Sequence, residues 1–311
     1  MPALDGTVRC DGEMRLDRYI AEVLRAITRS QLRARLRSAT VNGKPAKPSR
    51  PVRDGDRFSL ELAPEEDRSE AAEDIELSVL YEDEAVIVVD KAQGMVTHPA
   101  HGNWRGTLAN ALLGRAARRD HDAVGASSTA APARAGIVHR LDKDTSGVII
   151  AARTAAAQEF LAAQFRDRST AKLYLAVVKG IPPTPEGRLD TWLARDPRDR
   201  KRFAISSEGQ GRRAVTDWKV LGSARGYALL ALKPRTGRTH QLRVHCRRLG
   251  CPIVGDPVYG TIDRNWPDAT LMLHARELRI VLPGQIEPSR FRAPLPERFV
   301  DMLAVLGLRE D

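Results

Sequence analysis

The nine residues His139-Arg140-Leu141-Asp142-Lys143-Asp144-Thr145-Ser146-Gly147 lie between two apolar stretches, Gly136-Ile137-Val138 and Val148-Ile149-Ile150. Two buried strands or strand ends are therefore predicted to bracket a dense polar loop. Burying charge is costly unless every group is paired, so a chain selected only for its core would not place this loop here. Such a conflict between local polarity and packing marks either a working site or a structural Arg–Asp pair on a tight turn. Spacing alone does not separate the two.

A chain of 311 residues is comfortable for two domains and buries a sizeable core without covalent staples. Cys10, Cys246 and Cys251 form neither a disulfide framework nor a zinc-ligand spacing, which fits a reducing compartment. His240 and His245 are likewise outside any metal-binding array, so no metal is expected. Without a signal pattern at Met1-Pro2-Ala3-Leu4 or an apolar run of membrane-spanning length, the expectation is a soluble, cytoplasmic, monomeric protein with no membrane contact. The net charge of +10 favours a polyanionic partner, a weak signal when taken alone.

Residues 14–62 read as a small separate unit. Leu16, Tyr19, Ile20, Val23 and Leu24 share one helical face. A second helix is predicted from Thr28 or Ser30, burying Leu32 and Leu36. Arg29, Arg33 and Arg37 recur every fourth residue and are expected to form a basic stripe on it. Val41-Asn42-Gly43-Lys44 and Asp54-Gly55-Asp56 are turn signals, and Phe58, Leu60 and Leu62 alternate as in a strand. Two helices with an arginine stripe followed by a hairpin resemble an S4 RNA-binding domain. A solvated helix face is the alternative, but guanidinium forks suit phosphate.

Residues 63–74 read as an acidic linker and 75–305 as a larger α+β domain with a mainly antiparallel, mixed sheet. Within it, 75–81 and 85–90 are predicted to pair as strands. Residues 114–135 read as an irregular surface insertion. A helix is expected after Thr154 that buries Ala157, Phe160, Leu161 and Phe165, and strands over 173–178 and 227–233.

The polar loop resembles the HRLDxxTSG signature of the RluA/RluD family of RNA pseudouridine synthases. Further family elements follow in order. They include His98-Pro99, Gly106-Thr107-Leu108, the strand Lys172-Leu173-Tyr174-Leu175-Ala176-Val177-Val178-Lys179-Gly180, and Thr236-Gly237-Arg238-Thr239-His240-Gln241-Leu242-Arg243-Val244-His245. Gly255-Asp256-Pro257-Val258-Tyr259-Gly260 and Leu273-His274-Ala275 close the series. Ala92 stands where the family usually has Pro after the lysine, which is expected to loosen the loop near Gly94.

This resemblance implies isomerisation of uridine to pseudouridine, a redox-neutral exchange of the C1′–N1 bond for a C1′–C5 bond that requires no cofactor. It implies a catalytic carboxylate at Asp142, which must be ionised where bases exclude water. Burial opposes that charge and an adjacent cation favours it. The resemblance assigns the cation to Arg238, ahead of a helix capped by Thr239; phosphate binding alone is the alternative for Arg238. It assigns Tyr174 a catalytic place against the flipped uracil, where its hydroxyl would help move the C5 proton, with packing alone as the alternative role. Arg140 is expected to fill the stack left by the flipped base. His139 and Thr145 are expected to shape the loop beside the substrate, and Lys91, Arg153 and Arg243 to contact RNA or the loop. The branch it most resembles implies large-subunit (23S-type) ribosomal RNA in the stem-loop of helix 69, within pre-ribosomal particles. Transfer RNA is the alternative substrate. A non-catalytic RNA-binding assembly factor is the alternative of another class.

Overall fold

Phe58, Leu60 and Leu62 point alternately inward from a strand at Arg57–Leu62, all three buried. They anchor the smaller of two units, Met1–Ser69 and Glu70–Asp311, in a computed structural model that describes residues 3–63, 71–99, 102–122, 133–199 and 201–310. The strands of the first unit are β1 (Ala3–Thr7), β2 (Glu13–Arg15), β3 (Leu36–Val41), β4 (Lys44–Pro45), β5 (Pro51–Arg53) and β6 (Arg57–Leu62). They pair in the order β1-β6-β3-β4, with β2 and β5 forming a separate ribbon. Asn42 and Gly43 both take positive φ, 54° and 73°, which is the backbone a two-residue hairpin demands and the pair Asn-Gly supplies.

The helices of this unit differ from expectation. The first consists of a short turn, α1 (Leu16–Arg18), running into a π-helical turn at Tyr19–Val23. Leu16, Tyr19 and Ile20 are buried, whereas Val23 and Leu24 are exposed, so the wider turn ends the apolar stripe early. The second helix, α2 (Arg29–Arg35), buries Leu32 but stops before Arg37. Leu36 already pairs with Leu62, which places Arg37 on β3 and breaks the expected stripe of three. Arg29 and Arg33 remain on α2, both exposed, and Arg29 lies 3.3 Å from the Asp17 carboxylate.

The second unit begins ahead of the expected Ile75. Asn110 holds Ala71 through its side chain at 2.7 Å, and its carbonyl accepts from Glu73 N at 3.0 Å. Residues 64–70 of the expected linker lie outside the described residues. The strands are β7 (Ser78–Glu82), β8 (Val86–Lys91), β9 (Ser146–Ala152), β10 (Ala171–Lys179), β11 (Glu186–Arg195), β12 (Phe203–Ser206), β13 (Arg212–Ala224), β14 (Tyr227–Pro234), β15 (Leu273–Val281) and β16 (Pro288–Arg292). They form one mixed sheet in the order β12-β11-β13-β14-β10-β15-β9-β8-β7, with β16 beside β15. Every pairing is antiparallel except β9 with β15. The α+β class, with a largely antiparallel sheet, is as the sequence implies.

The unbroken apolar runs of β8 and β9 follow from burial on both faces. Val86, Val88, Val148 and Ile150 face α4 (Ala155–Asp167), which contributes Ala157 and Leu161. Ile87, Val89, Ile149 and Ala151 face α3 (Leu108–Asp122), which contributes Leu108, Ala109 and Leu112. Thr154 caps α4 by accepting from Ala157 N at 3.2 Å, as its position suggests. Phe160, expected inside, is 40% exposed. The expected insertion at 114–135 is in fact helical up to Asp122, and Ala133–Gly136 form a 3₁₀ turn; 123–132 lie outside the described residues. Ala and Arg dominate 114–119, and both are strong helix formers. The other half of the sheet packs β10 and β14 against α5 (Gln241–Arg248) and α6 (Glu297–Leu306).

Candidate active site

The polar loop is pinned from below by the segment that leaves β8. Lys91 is fully buried, and its ammonium donates to the carbonyls of Ala92, Met95 and Lys143 at 2.8, 2.8 and 3.2 Å. Burial pushes its pKa down to about 8. A lysine saturated by three carbonyls has no donor to offer RNA, so Lys91 is a loop brace and not a substrate contact. Gly94 N donates to Lys143 O at 2.9 Å and Thr97 Oγ1 to Leu141 O at 2.9 Å, so the turn after Ala92 is held without a proline. Thr145 N closes the loop on Asp142 O at 3.1 Å, and the Thr145 side chain is buried against the cleft.

His139 shapes the loop from its other end. Its Nε2 accepts from Ile150 N at 3.0 Å, and its ring stacks on Phe165 with centroids 4.4 Å apart. Burial, reinforced by the Lys172 charge, lowers its pKa to about 3. It is a neutral, committed side chain, so the loop-shaping role suits it and substrate contact through Nε2 does not. The loop then runs into β9 at the parallel junction with β15, where Ser146 pairs with His274 and Gly147 with Ala275. Gly147 sits at φ +113°, and a Cβ there would meet Ala275 O at 2.2 Å. Only glycine allows this close approach.

The loop forms one wall of a cleft of about 460 Å³, whose other walls are the C-terminus of α4, the start of β10 and the segment entering α5. Asp142 is the only carboxylate among the described lining residues. Its Oδ2 lies 3.6 Å from Nη1 of Arg243 and 4.0 Å from Nε2 of His240. Arg243, 4% exposed, is held by a two-pronged contact to Asp256 at 2.8 and 2.7 Å, with its guanidinium 5.2 Å from the centre of the Tyr259 ring. Burial works against the Arg243 charge, but the hydrogen bonds and charge of Asp256 outweigh it and hold its pKa above the ordinary arginine value. Asp256 takes two more hydrogen bonds, from Val258 N and Tyr259 N at 2.8 and 2.9 Å.

The expected partnership of Arg238 with Asp142 is not formed. Arg238 Nε donates to Arg213 O at 3.1 Å, outside the first turn of α5. His240, not Thr239, stands at the helix entrance in left-handed conformation, φ 56° and ψ 15°. Gln241 ties the segment ahead of the helix to its first residue: its Oε1 accepts from Arg238 N at 3.0 Å and from Thr236 Oγ1 at 2.7 Å. With the helix starting at Gln241, Arg243 is the arginine that faces the loop. Burial and then the like charges of Arg168 and Arg212 lower the Arg238 pKa, so Arg238 belongs to a cationic rim. Arg166, Arg168, Lys172 and Arg235 also line the cleft.

Tyr174 is where expected, lining the cleft at a register shift between Leu173 and Tyr174 in the β10–β15 pairing. Burial, and then the charge of Asp142, raise its pKa, so the phenol stays protonated at neutral pH. Arg140 is exposed at the mouth of the cleft. Arg153 lies away from the cleft, against the Asp83 carbonyl and the Glu82 carboxylate. Among the described residues no cluster of three or more His, Cys, Asp or Glu is placed to hold a metal.

An RNA pseudouridylate synthase family model matches residues 85–248, a span that includes the loop, Tyr174 and Arg243. The chain belongs to this family. It is 39% identical over 300 residues to the ribosomal large subunit pseudouridine synthase D of Borreliella burgdorferi, covering 94% of this chain and 90% of that one. An RNA pseudouridine synthase of Chlorobaculum parvum is 40% identical over 312 residues, covering 94% and 93%. Among solved structures, human RNA pseudouridylate synthase domain containing 4 superposes with a TM-score of 0.59 at 27% identity, over 75% of this chain and 94% of that one. The activity is therefore that of a pseudouridine synthase, an isomerase acting within one nucleotide.

Proposed function

We propose that this synthase isomerises uridine in large-subunit ribosomal RNA, in the stem-loop region of helix 69, with Asp142 as its catalytic carboxylate. The observation that carries the reading is the cleft itself: one carboxylate, beside a buried arginine, among charged lining residues that are otherwise cations. A base drawn out of its stack would enter against Tyr174, with its sugar beside Asp142 and its phosphates toward Arg168 and Arg238. The exchange breaks C1′–N1, turns the uracil, joins C1′ to C5, releases the C5 proton to solvent and leaves N1 protonated in its place. Asp142 serves each route to that exchange, whether it attacks C1′, adds to uracil C6 or takes the C2′ proton. Protonated Tyr174 supports a wall and hydrogen-bond role rather than that of a base. The names of the bacterial relatives support the ribosomal substrate. Arg29 and Arg33, exposed on α2 beside an Asn-Gly hairpin, support the S4-like reading of the first unit as a second RNA contact.

The test is tritium release from RNA carrying 5-tritiated uridine, comparing ribosomal with transfer RNA. Release from ribosomal RNA by the wild type, and none by Asp142→Asn with RNA binding retained, is the expected result. Turnover by Asp142→Asn would remove the carboxylate from the mechanism, and release from transfer RNA alone would move the target.

A further inference from the structure

His240 is a half-buried histidine that the roles above leave unused, and its surroundings specify its protonation state. Its Nδ1 lies 2.9 Å from Tyr259 Oη, which also accepts from Phe203 N at 2.8 Å. Tyr259 is 5% exposed, and among the described residues His240 Nδ1 is the only acceptor within reach of its hydroxyl proton. A buried hydroxyl does not leave its proton unplaced, so Tyr259 donates to Nδ1. The imidazole proton then sits on Nε2, the nitrogen 4.0 Å from Asp142 Oδ2. The ring is clamped edge-on between Phe203 and Tyr259, with centroids 5.9 and 5.5 Å away. The left-handed backbone at His240 is a conformation a non-glycine residue adopts only when its surroundings over-determine it.

We propose that His240 is a positioning residue: a neutral imidazole whose Nε2–H closes on Oδ2 of Asp142 and turns the other carboxylate oxygen toward the reacting nucleotide. The proposal rests on Asp142 being the catalytic carboxylate. The gap of 4.0 Å is longer than a hydrogen bond, and such contacts tighten when substrate expels water. The division of labour is chemical. Arg243 supplies charge but is fixed by its fork on Asp256, whereas His240 supplies a directed donor without adding a second cation beside Arg243. The charged and titratable groups facing the ring are Asp142, Arg243, Asp256, Arg140 and Tyr259. Among them burial dominates and lowers the His240 pKa, which keeps the ring neutral at physiological pH.

Single-turnover rates at saturating RNA, measured alongside RNA affinity, test this in His240→Leu, His240→Gln, Tyr259→Phe and Asp142→Asn. The glutamine amide reaches about as far as Nε2 and keeps a donor there. The expected result is a rate loss of about 10- to 100-fold in His240→Leu with affinity unchanged, most of it recovered in His240→Gln. Tyr259→Phe, which frees the ring tautomer, should lose a smaller factor. A wild-type rate in His240→Leu, or a His240→Gln enzyme as slow as His240→Leu, would overturn the proposal. Should His240→Leu fail to fold, Tyr259→Phe decides, and a wild-type rate there overturns it. Turnover by Asp142→Asn would instead show that the underlying reading of the site is at fault.

Discussion

Arg243 serves two carboxylates at once, and that double duty sets what its loss should do. Arg243→Met leaves Asp256 buried without its cation and Asp142 without its neighbour. The expected cost is ~3–5 kcal/mol of stability, read as a lower urea midpoint, together with loss of turnover. Arg243→Lys keeps the charge but not the fork, so it should remain slow; near-wild-type turnover in that variant would show that charge alone suffices. Arg238 belongs to the rim, and Arg238→Met should weaken RNA binding and reduce the salt slope by about one while sparing the bound-state rate. A rate loss with unchanged affinity would return Arg238 to the chemistry. The placement of Asp142 and Tyr174 in the cleft was legible as a resemblance because each stands inside a distinctive motif. The choice between Arg238 and Arg243 was not, because it turns on where α5 begins and on Asp256, thirteen residues downstream. The i, i+3 spacing of His240 and Arg243 was a signal that both could face one partner.

At the scale of elements, β8 and β9 were readable because continuous apolar runs mean burial on two faces, and α4 because Thr154 is a good cap. The end of α2 was not. A four-residue arginine repeat looks helical until Leu36 is claimed by β6, a pairing no local pattern announces. The helix through 114–122 was hidden by the glycine at its start and by the small-residue sequence 123–132 that follows it, although Gly114 has its own reason. A Cβ there would lie 2.0 Å from Glu73 O, so the glycine lets the chain entering the second unit cross α3. Gly147 is the more consequential glycine. Gly147→Ala should cost at least ~2 kcal/mol through backbone strain and the clash with Ala275 O, and should displace the loop that carries Asp142. Urea midpoint and tritium release would fall together; a variant with a wild-type midpoint would show that the β9–β15 junction yields easily.

For the whole molecule, buried neutral histidines tie stability to pH. His245, between Thr191 and Thr216 hydroxyls, and His274, bonded to Ser146, are 1% and 0% exposed. Burial, joined at His274 by the charges of Arg298 and Arg276, lowers both to a pKa of about 4 from an ordinary 6.5. Between those values the unfolded chain binds protons that the folded chain refuses. Stability therefore falls as pH is lowered through this window, by up to about 1.4 kcal/mol per pH unit for each histidine. Urea midpoints at pH 7 and pH 5 should differ accordingly, and equal midpoints would show that both rings accept a proton in place.

The β9–β15 junction also sets the order in which the enzyme is completed. Ser146, at the end of the Asp142 loop, is secured by His274, 128 residues later in the chain. Contacts so distant in sequence form late, after the entropy of closing the intervening chain has been overcome. During translation, the loop, Tyr174 and Arg243 all leave the ribosome before the strand that locks them together. The cleft can thus be complete only once synthesis has passed β15.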